Sequence, residues 1–407
     1  MTTNLKLVEG TADTTPPPAA LPRAEERDLR IDFLRGAVMV VLLTIHVELF
    51  SYLNLITWER FGTISGGEGF VILSGVVIGM IYRKRLEREG MKAALWKLYD
   101  RAAQLYRVNV AVVVGVFLLS LVPFWNSAEL ISFTDRFAAK TYQLYPGPGV
   151  PLAEKIARVF LLRAGPHQVQ ILGLYVMLLI LTPLILLLLQ LKRTRLLLAL
   201  SWIVYFYSAA YGAMPTGAQF EYAFPLLTWQ ILYVHGLTVG YHRETLKKAL
   251  TGGRRKAVLI AAGIVAMAGF FLAQNTTNPV LPAWARLTII PPAVFNSFYT
   301  LFCQKNALGL FRLLDYAAAL TVAYWLLGKG WPAFNRTLGW LLIPLGQASL
   351  YVFVVHLIFV LIISNLVPFG YRIDPRSTLM ATLIHASVIG AIWLMVRHKV
   401  LFRWIPR

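Results

Sequence analysis

Apolar runs of about 20 residues recur along almost the whole chain. Wound as helix, a run of that length spans a hydrocarbon core roughly 30 Å thick. Hydrophobic residues make up 57% of the 407 and charged residues only 14%, too few to cover the surface of a soluble domain of this size. The chain is therefore expected to be all-α, a polytopic helical bundle embedded in a lipid bilayer. The runs predict ten spans, at about 31–53, 67–82, 106–123, 170–190, 196–213, 223–241, 257–273, 309–328, 339–366 and 378–401. The second is short and glycine-rich and is expected among its neighbours. Residues 287–302 are interrupted by Pro291 and Pro292 and are expected to form an interfacial or re-entrant piece.

A net charge of +20 does not indicate a nucleic-acid partner here. The basic residues fall in short clusters between spans, where the positive-inside rule expects them. On alternate sides Lys and Arg number 27 against 11, with Arg35 set apart inside the first span. The richer side is expected to be cytoplasmic, which places both termini there. Residues 1–27 are polar, contain TADTTPPPAALP, and have no apolar core behind a basic start. They predict a disordered cytoplasmic tail rather than a cleavable signal, and residues 28–407 the membrane domain. The long segments 124–169 and 274–308 are then expected to face outward, where with 54–66 and 214–222 they either frame an external acceptor site or carry the aromatic residues of an interfacial belt. Cys303 is the single cysteine, which excludes an internal disulfide framework. No two His or Cys residues share a short ligand spacing, so no metal site is expected. No internal repeat supports an inverted-repeat transporter.

The first span, RIDFLRGAVMVVLLTIHVELFSYL, carries Asp32, Arg35, His46 and Glu48. Arg35 and His46 are eleven residues apart, almost three helical turns and roughly 16 Å along the axis. Both side chains are expected on one face, a cation near the cytosol and an imidazole near mid-membrane. Ionisable groups inside a membrane are functional candidates. A desolvated histidine tends to be neutral and able to accept a proton. The next helix, GGEGFVILSGVVIGMIYRKR, brings Glu68 near the outer third and Ser74 deeper. Gly75 and Gly79 are four apart, a spacing that allows close helix contact. That contact is expected to press the second helix on the first and to bring Glu68 to His46, whose tautomer a carboxylate would fix. Arg83, Lys84, Arg85, Arg101 and Arg107 crowd the cytoplasmic mouth beside Arg35. Arginine's planar fork of donors suits an anionic ligand with phosphates.

These residues carry a resemblance. RDLRIDFLRG, the spacing of Arg35 and His46, and EGFVILSG resemble the first two helices of the membrane acyltransferase superfamily (acyltransferase family 3). Within it, DRAAQLYRVNV, ILGLYVMLLILTPLILLLL, FPLLTWQILYVHGLTVG, QKNALGLFRLLDYAAAL and PLGQASLYVFVVHL resemble, in that order, segments of the OpgC family, which succinylates osmoregulated periplasmic glucans. The similarity covers about residues 27–400. Gln170 and Gly173 stand where that family is expected to have Asp and Pro. His235 replaces an aliphatic residue and Asp315 a common His, departures that bear on the acceptor.

The resemblance implies an O-acyltransferase of the bacterial inner membrane, with no bound cofactor. It implies a cytosolic acyl-CoA, succinyl-CoA foremost, as donor and a periplasmic glucan or related glycan as acceptor. The donor's phosphates would meet Arg35, Arg83, Arg85, Arg101 and Arg107, with Arg35 and Arg107 foremost. His46 would be the base or the acyl carrier, and Glu68 would orient it. Ser74, Gln104 and His356 are supporting candidates, and His167 is a candidate for acceptor contact. The alternatives are a proton-coupled transporter or flippase that uses His46 and Glu48, and a non-catalytic scaffold that would tolerate loss of His46.

Overall fold

The computed structural model describes residues 27–135 and 140–406. The expected tail, apart from Arg27, lies outside them. The described chain is helical, with one small antiparallel pair of strands, β1 (Ser132–Asp135) and β2 (Lys140–Gln143), in which Phe133 faces Tyr142. The principal helices are α1 (Leu29–His46), α2 (Gly66–Ser120), α3 (Gln170–Gln190), α4 (Thr194–Tyr211), α5 (Leu226–Tyr241), α6 (Gly252–Gln274), α7 (Leu310–Lys329), α8 (Trp340–Gln347), α9 (Ser349–Leu366) and α10 (Pro375–Arg397).

Among the described residues six helices are long and apolar enough to cross a membrane: α2, α3 extended back to His167, α6, α7, α9 and α10. α1 carries Arg30, Asp32 and Arg35 in its first two turns, and α5 has 16 residues. Leu184, Ile203, Ile264 and Met267 each expose more than half their surface, an arrangement that suits hydrocarbon rather than water. The interior lies where α3, α5 and α9 meet α1 and α2, around Trp229, Tyr233, Tyr351 and Phe353.

Four departures from the expected spans position the site. First, α1 ends at His46 rather than near Leu53. Beyond it Leu49 bridges Gly370, whose N–H donates to the Glu48 carbonyl. His385 Nε2 lies 2.9 Å from the Val47 carbonyl, to which it donates. Extended chain is thus held by tertiary bonds in place of further helix. Second, the spans at 67–82 and 106–123 belong to one long helical element. It breaks at Gly90, whose φ of 77° and ψ of 174° lie in a region reserved almost wholly for glycine.

Third, Gly75 and Gly79 press α2 against α5, not α1. A Cβ at Gly75 would lie 2.5 Å from the Tyr233 carbonyl oxygen, one at Gly79 would strike the Leu237 carbonyl, and ones at Gly236 and Gly240 would strike Ile72 and Val76. The fit is reciprocal, backbone on backbone, as small residues at this spacing permit. Fourth, the expected span 339–366 is two helices. Pro344 interrupts the bonding of α8, and Ala348 (φ −108°, ψ 31°) separates it from α9. The 287–302 piece forms a short helix, Pro292–Phe298, that continues as a π-turn, Tyr299–Cys303.

Candidate functional site

α1 links two polar places. At its N-terminal end Asp28 caps the helix and accepts from Arg30, Arg243 and Tyr324. Burial would raise the Asp28 carboxyl, but those hydrogen bonds and the charges of Arg30 and Arg243 hold it below the usual carboxylate range. Beside it opens a cavity of about 1090 Å³ lined by nine Arg and Lys side chains and three Asp. Arg35, Arg85, Arg101 and Gln104 line it, as does the buried Tyr175 hydroxyl. Arg101 donates to Gln104 Oε1 at 2.5 Å. Arg35 donates to Ser349 Oγ and lies 3.9 Å from Asp32.

The cavity changes the expected cation set. Arg83 donates to the Tyr241 carbonyl at 2.8 Å. It caps the C-terminal end of α5, as basic side chains near a helix end do, and does not line the cavity. Arg107 is exposed on the far half of α2 and is also outside it. Lys84, expected at this mouth, does line it, as do Arg27, Lys97, Arg243, Arg397 and Lys399, which sequence reasoning missed. Their scatter over four parts of the chain gave no local signal. Ser74 is buried next to the Tyr175 hydroxyl.

At the other end of α1, His46 meets His356. His46 Nδ1 lies 2.9 Å from His356 Nε2, with ring planes 23° apart and centroids 4.9 Å apart. His356 Nδ1 lies 2.7 Å from the Phe353 carbonyl. His167 turns an edge to His46 at 6.3 Å between centroids, and its Nε2 is 3.9 Å from Glu48. Ser349 and His356 are both on α9, seven residues apart, so Arg35 and His46 face the same neighbour at two levels.

The expected pairing of Glu68 with His46 is not formed. Glu68 Oε1 accepts from Arg312 Nη1 at 2.6 Å, and Oε2 is taken by the Ser65 hydroxyl and N–H. This capping box starts α2 and leaves the carboxylate fully buried. Arg312, missed by sequence reasoning, also donates to Glu59 at 2.6 Å, to the Cys303 carbonyl at 2.6 Å and to the Tyr299 hydroxyl at 3.1 Å. Its partner is 244 positions away in sequence.

Three of the four departures noted in sequence, all but Gln170, have local contacts of their own. Gly173 packs on Phe220, where a Cβ would lie 2.8 Å from the ring. His235 Nδ1 donates to the Ile231 carbonyl one turn back and meets Trp202 edge-on. Asp315 accepts from the Thr63 N–H at 2.7 Å and its hydroxyl at 3.0 Å. Among the described residues no group of His, Cys, Asp and Glu is arranged to hold a metal.

Fold and site together define a many-helix membrane protein with a cation-lined cavity at one end of α1 and paired imidazoles at the other. Residues 27–404 match the family described as OpgC protein, and the chain belongs to that family. No curated protein and no solved structure matches it.

Proposed function

We propose that the protein is a glucan succinyltransferase of the bacterial inner membrane, moving an acyl group from cytosolic acyl-CoA to hydroxyls of a periplasmic glucan. In this reading the chain crosses the bilayer ten times with both termini in the cytoplasm. The cavity at the start of α1 is the cytoplasmic donor mouth. Membership of the OpgC family supports the transferase class. The observation that carries the donor and the base is the pair of contacts α1 makes with α9: Arg35 on Ser349 at the cavity, His46 on His356 at the far end.

Phosphates of the donor suit a cavity with nine cations and three carboxylates. Arg35, Arg85 and Arg101 bind them, since a guanidinium offers charge-assisted bonds to two oxygens at once. The acyl thioester reaches His46, roughly 16 Å along the helix from Arg35. His46 Nε2 takes the proton of the acceptor hydroxyl as its oxygen attacks the thioester carbon. The carbon–sulfur bond breaks, and the CoA thiolate leaves with the proton returned from His46. His167 lies beside His46 where an acceptor hydroxyl would arrive.

Purified protein in nanodiscs, given succinyl-CoA and a glucan, tests this by release of free CoA thiol and by the mass of the glycan. His46→Ala should still bind acyl-CoA and lose transfer by at least about a hundredfold, the lower range for general-base catalysis. Near-normal transfer by that variant would overturn the assignment of the base. Wild-type protein that leaves the thioester intact would overturn the function.

A further inference from the structure

The histidine pair has a direction that its hydrogen bonds dictate. The Phe353 carbonyl can only accept, so His356 Nδ1, 2.7 Å from it, carries a proton. His356 is 2% exposed among apolar neighbours on α9, where a doubly protonated ring would be a buried charge without a counter-ion. Its Nε2 is therefore a bare lone pair. His46 Nδ1 stands 2.9 Å from that lone pair. Two bare nitrogens would repel, so the proton of the contact belongs to His46 Nδ1. The near-parallel ring planes and the 4.9 Å centroid separation let the rings meet edge to edge, as a straight N–H···N bond needs.

We infer that His356 is a positioning residue that holds His46 in the Nδ1–H tautomer and so leaves His46 Nε2 as the free base. The inference rests on the acyl-transfer reading for its consequence in catalysis, but not for the tautomer itself. Free imidazole side chains favour the proton on Nε2, so the tautomer inferred here requires a partner to select it. A carboxylate is the familiar selector. A neutral imidazole anchored on a backbone carbonyl selects the same tautomer without placing a charge in the bundle. When His46 takes a proton on Nε2 during transfer, its Nδ1–H becomes a charge-assisted donor to His356 and that bond shortens. The ring partner thus answers the charge only while the charge exists. Glu68, held by Arg312 and Ser65, is not available for this task.

The test uses full-length protein in nanodiscs, labelled with nitrogen-15 in its seven histidines. The His46 signals are assigned as those lost in His46→Ala. At neutral pH the wild type should show His46 protonated on Nδ1 and bare on Nε2. His46 found with its proton on Nε2 would overturn the inference, whether or not the protein transfers an acyl group. His356→Ala should release the tautomer toward Nε2–H. It should lower kcat by about ten- to a hundredfold, within what general-base catalysis supplies, and leave the KM for succinyl-CoA unchanged. His356→Gln, whose amide oxygen reaches toward the place of Nε2, should restore most of kcat and the Nδ1–H signal. A His356→Gln protein no better than His356→Ala, with both folded, would mean that packing rather than tautomer control is lost. If His356→Ala does not fold, the wild-type spectrum and His356→Gln decide. Absence of any transfer by the wild type would remove the function and leave the tautomer result standing.

Discussion

A guanidinium with no exposure to solvent must have its charge answered within the protein, and Arg312 answers it with Glu68 and Glu59. Removing one member of such a group leaves an uncompensated buried charge, at a cost of about 3–5 kcal/mol. Arg312→Met should therefore lower the unfolding temperature in detergent sharply, and Arg312→Met with Glu68→Gln should regain part of the loss. A wild-type melting curve for Arg312→Met would show that the cluster does not hold the fold. Glu68→Gln leaves Arg312 paired with Glu59 and should cost less stability than Arg312→Met. Arg35 is different, because it donates to the neutral Ser349 and its more distant ion-pair partner Asp32 keeps Arg27. Arg35→Ala should raise the KM for acyl-CoA by roughly ten- to a hundredfold, the equivalent of about 1.5–3 kcal/mol for a charge-assisted bond, with little change in folded yield. An unchanged donor titration would move the donor site away from this cavity. Arg35 and His46 were legible in sequence because both lie on one helix, where spacing alone fixes the face. The partners Arg312 and His356 were not legible as partners, since they arrive from 244 and 310 positions away.

At the scale of the element, glycine marks two different things. At Gly79 a side chain would strike the Leu237 carbonyl, whereas at Gly90 nothing lies within 4 Å of an added Cβ. Gly90→Ala should cost only the backbone strain of its positive φ, about 1–3 kcal/mol. Gly79→Ala must drive α2 and α5 apart along their whole contact and should abolish monodisperse folded protein on size exclusion. Equal tolerance of both substitutions would mean that the α2–α5 contact is looser than these carbonyl approaches require. Sequence spacing announced that Gly75 and Gly79 face a neighbour, but a helix face does not name the helix that meets it. The matching Gly236 and Gly240, also four apart, were the available clue. The expected run through Leu53 failed for a related reason. Val47, Leu49 and Phe50 are apolar enough to continue α1, yet the Gly370 bridge and His385 hold Val47 and Leu49 in non-helical chain.

For the molecule as a whole, orientation decides whether the cavity can meet a cytosolic donor. The excess of Lys and Arg, 27 against 11 on alternate sides, predicts an orientation from sequence, because the positive-inside rule reads local charge near span ends. The cavity's shape was not legible there, because it is assembled from residues on α1, α2, α3, α8, α9 and α10 and the segments beside them. Nine of its lining residues are cations, so the charge that orients the chain and the charge proposed to bind donor are in part the same charge. Labelling separates the topology from the binding. Cys303 is fully buried, and Cys303→Ala provides a background without thiols. On it, Gly147→Cys lies in the segment that ends at His167, and Lys97→Cys lies on the cavity wall. A membrane-impermeant maleimide should label Gly147→Cys in cells whose outer membrane alone is permeabilised, and Lys97→Cys only after the inner membrane is opened. Acyl-CoA added to opened membranes should then protect Lys97→Cys from the label if the cavity is the donor site. The reverse labelling pattern would put the cations outside, away from any cytosolic thioester, and the proposed direction of transfer would fail with it. Correct labelling without protection would keep the topology and assign the cations to orientation alone.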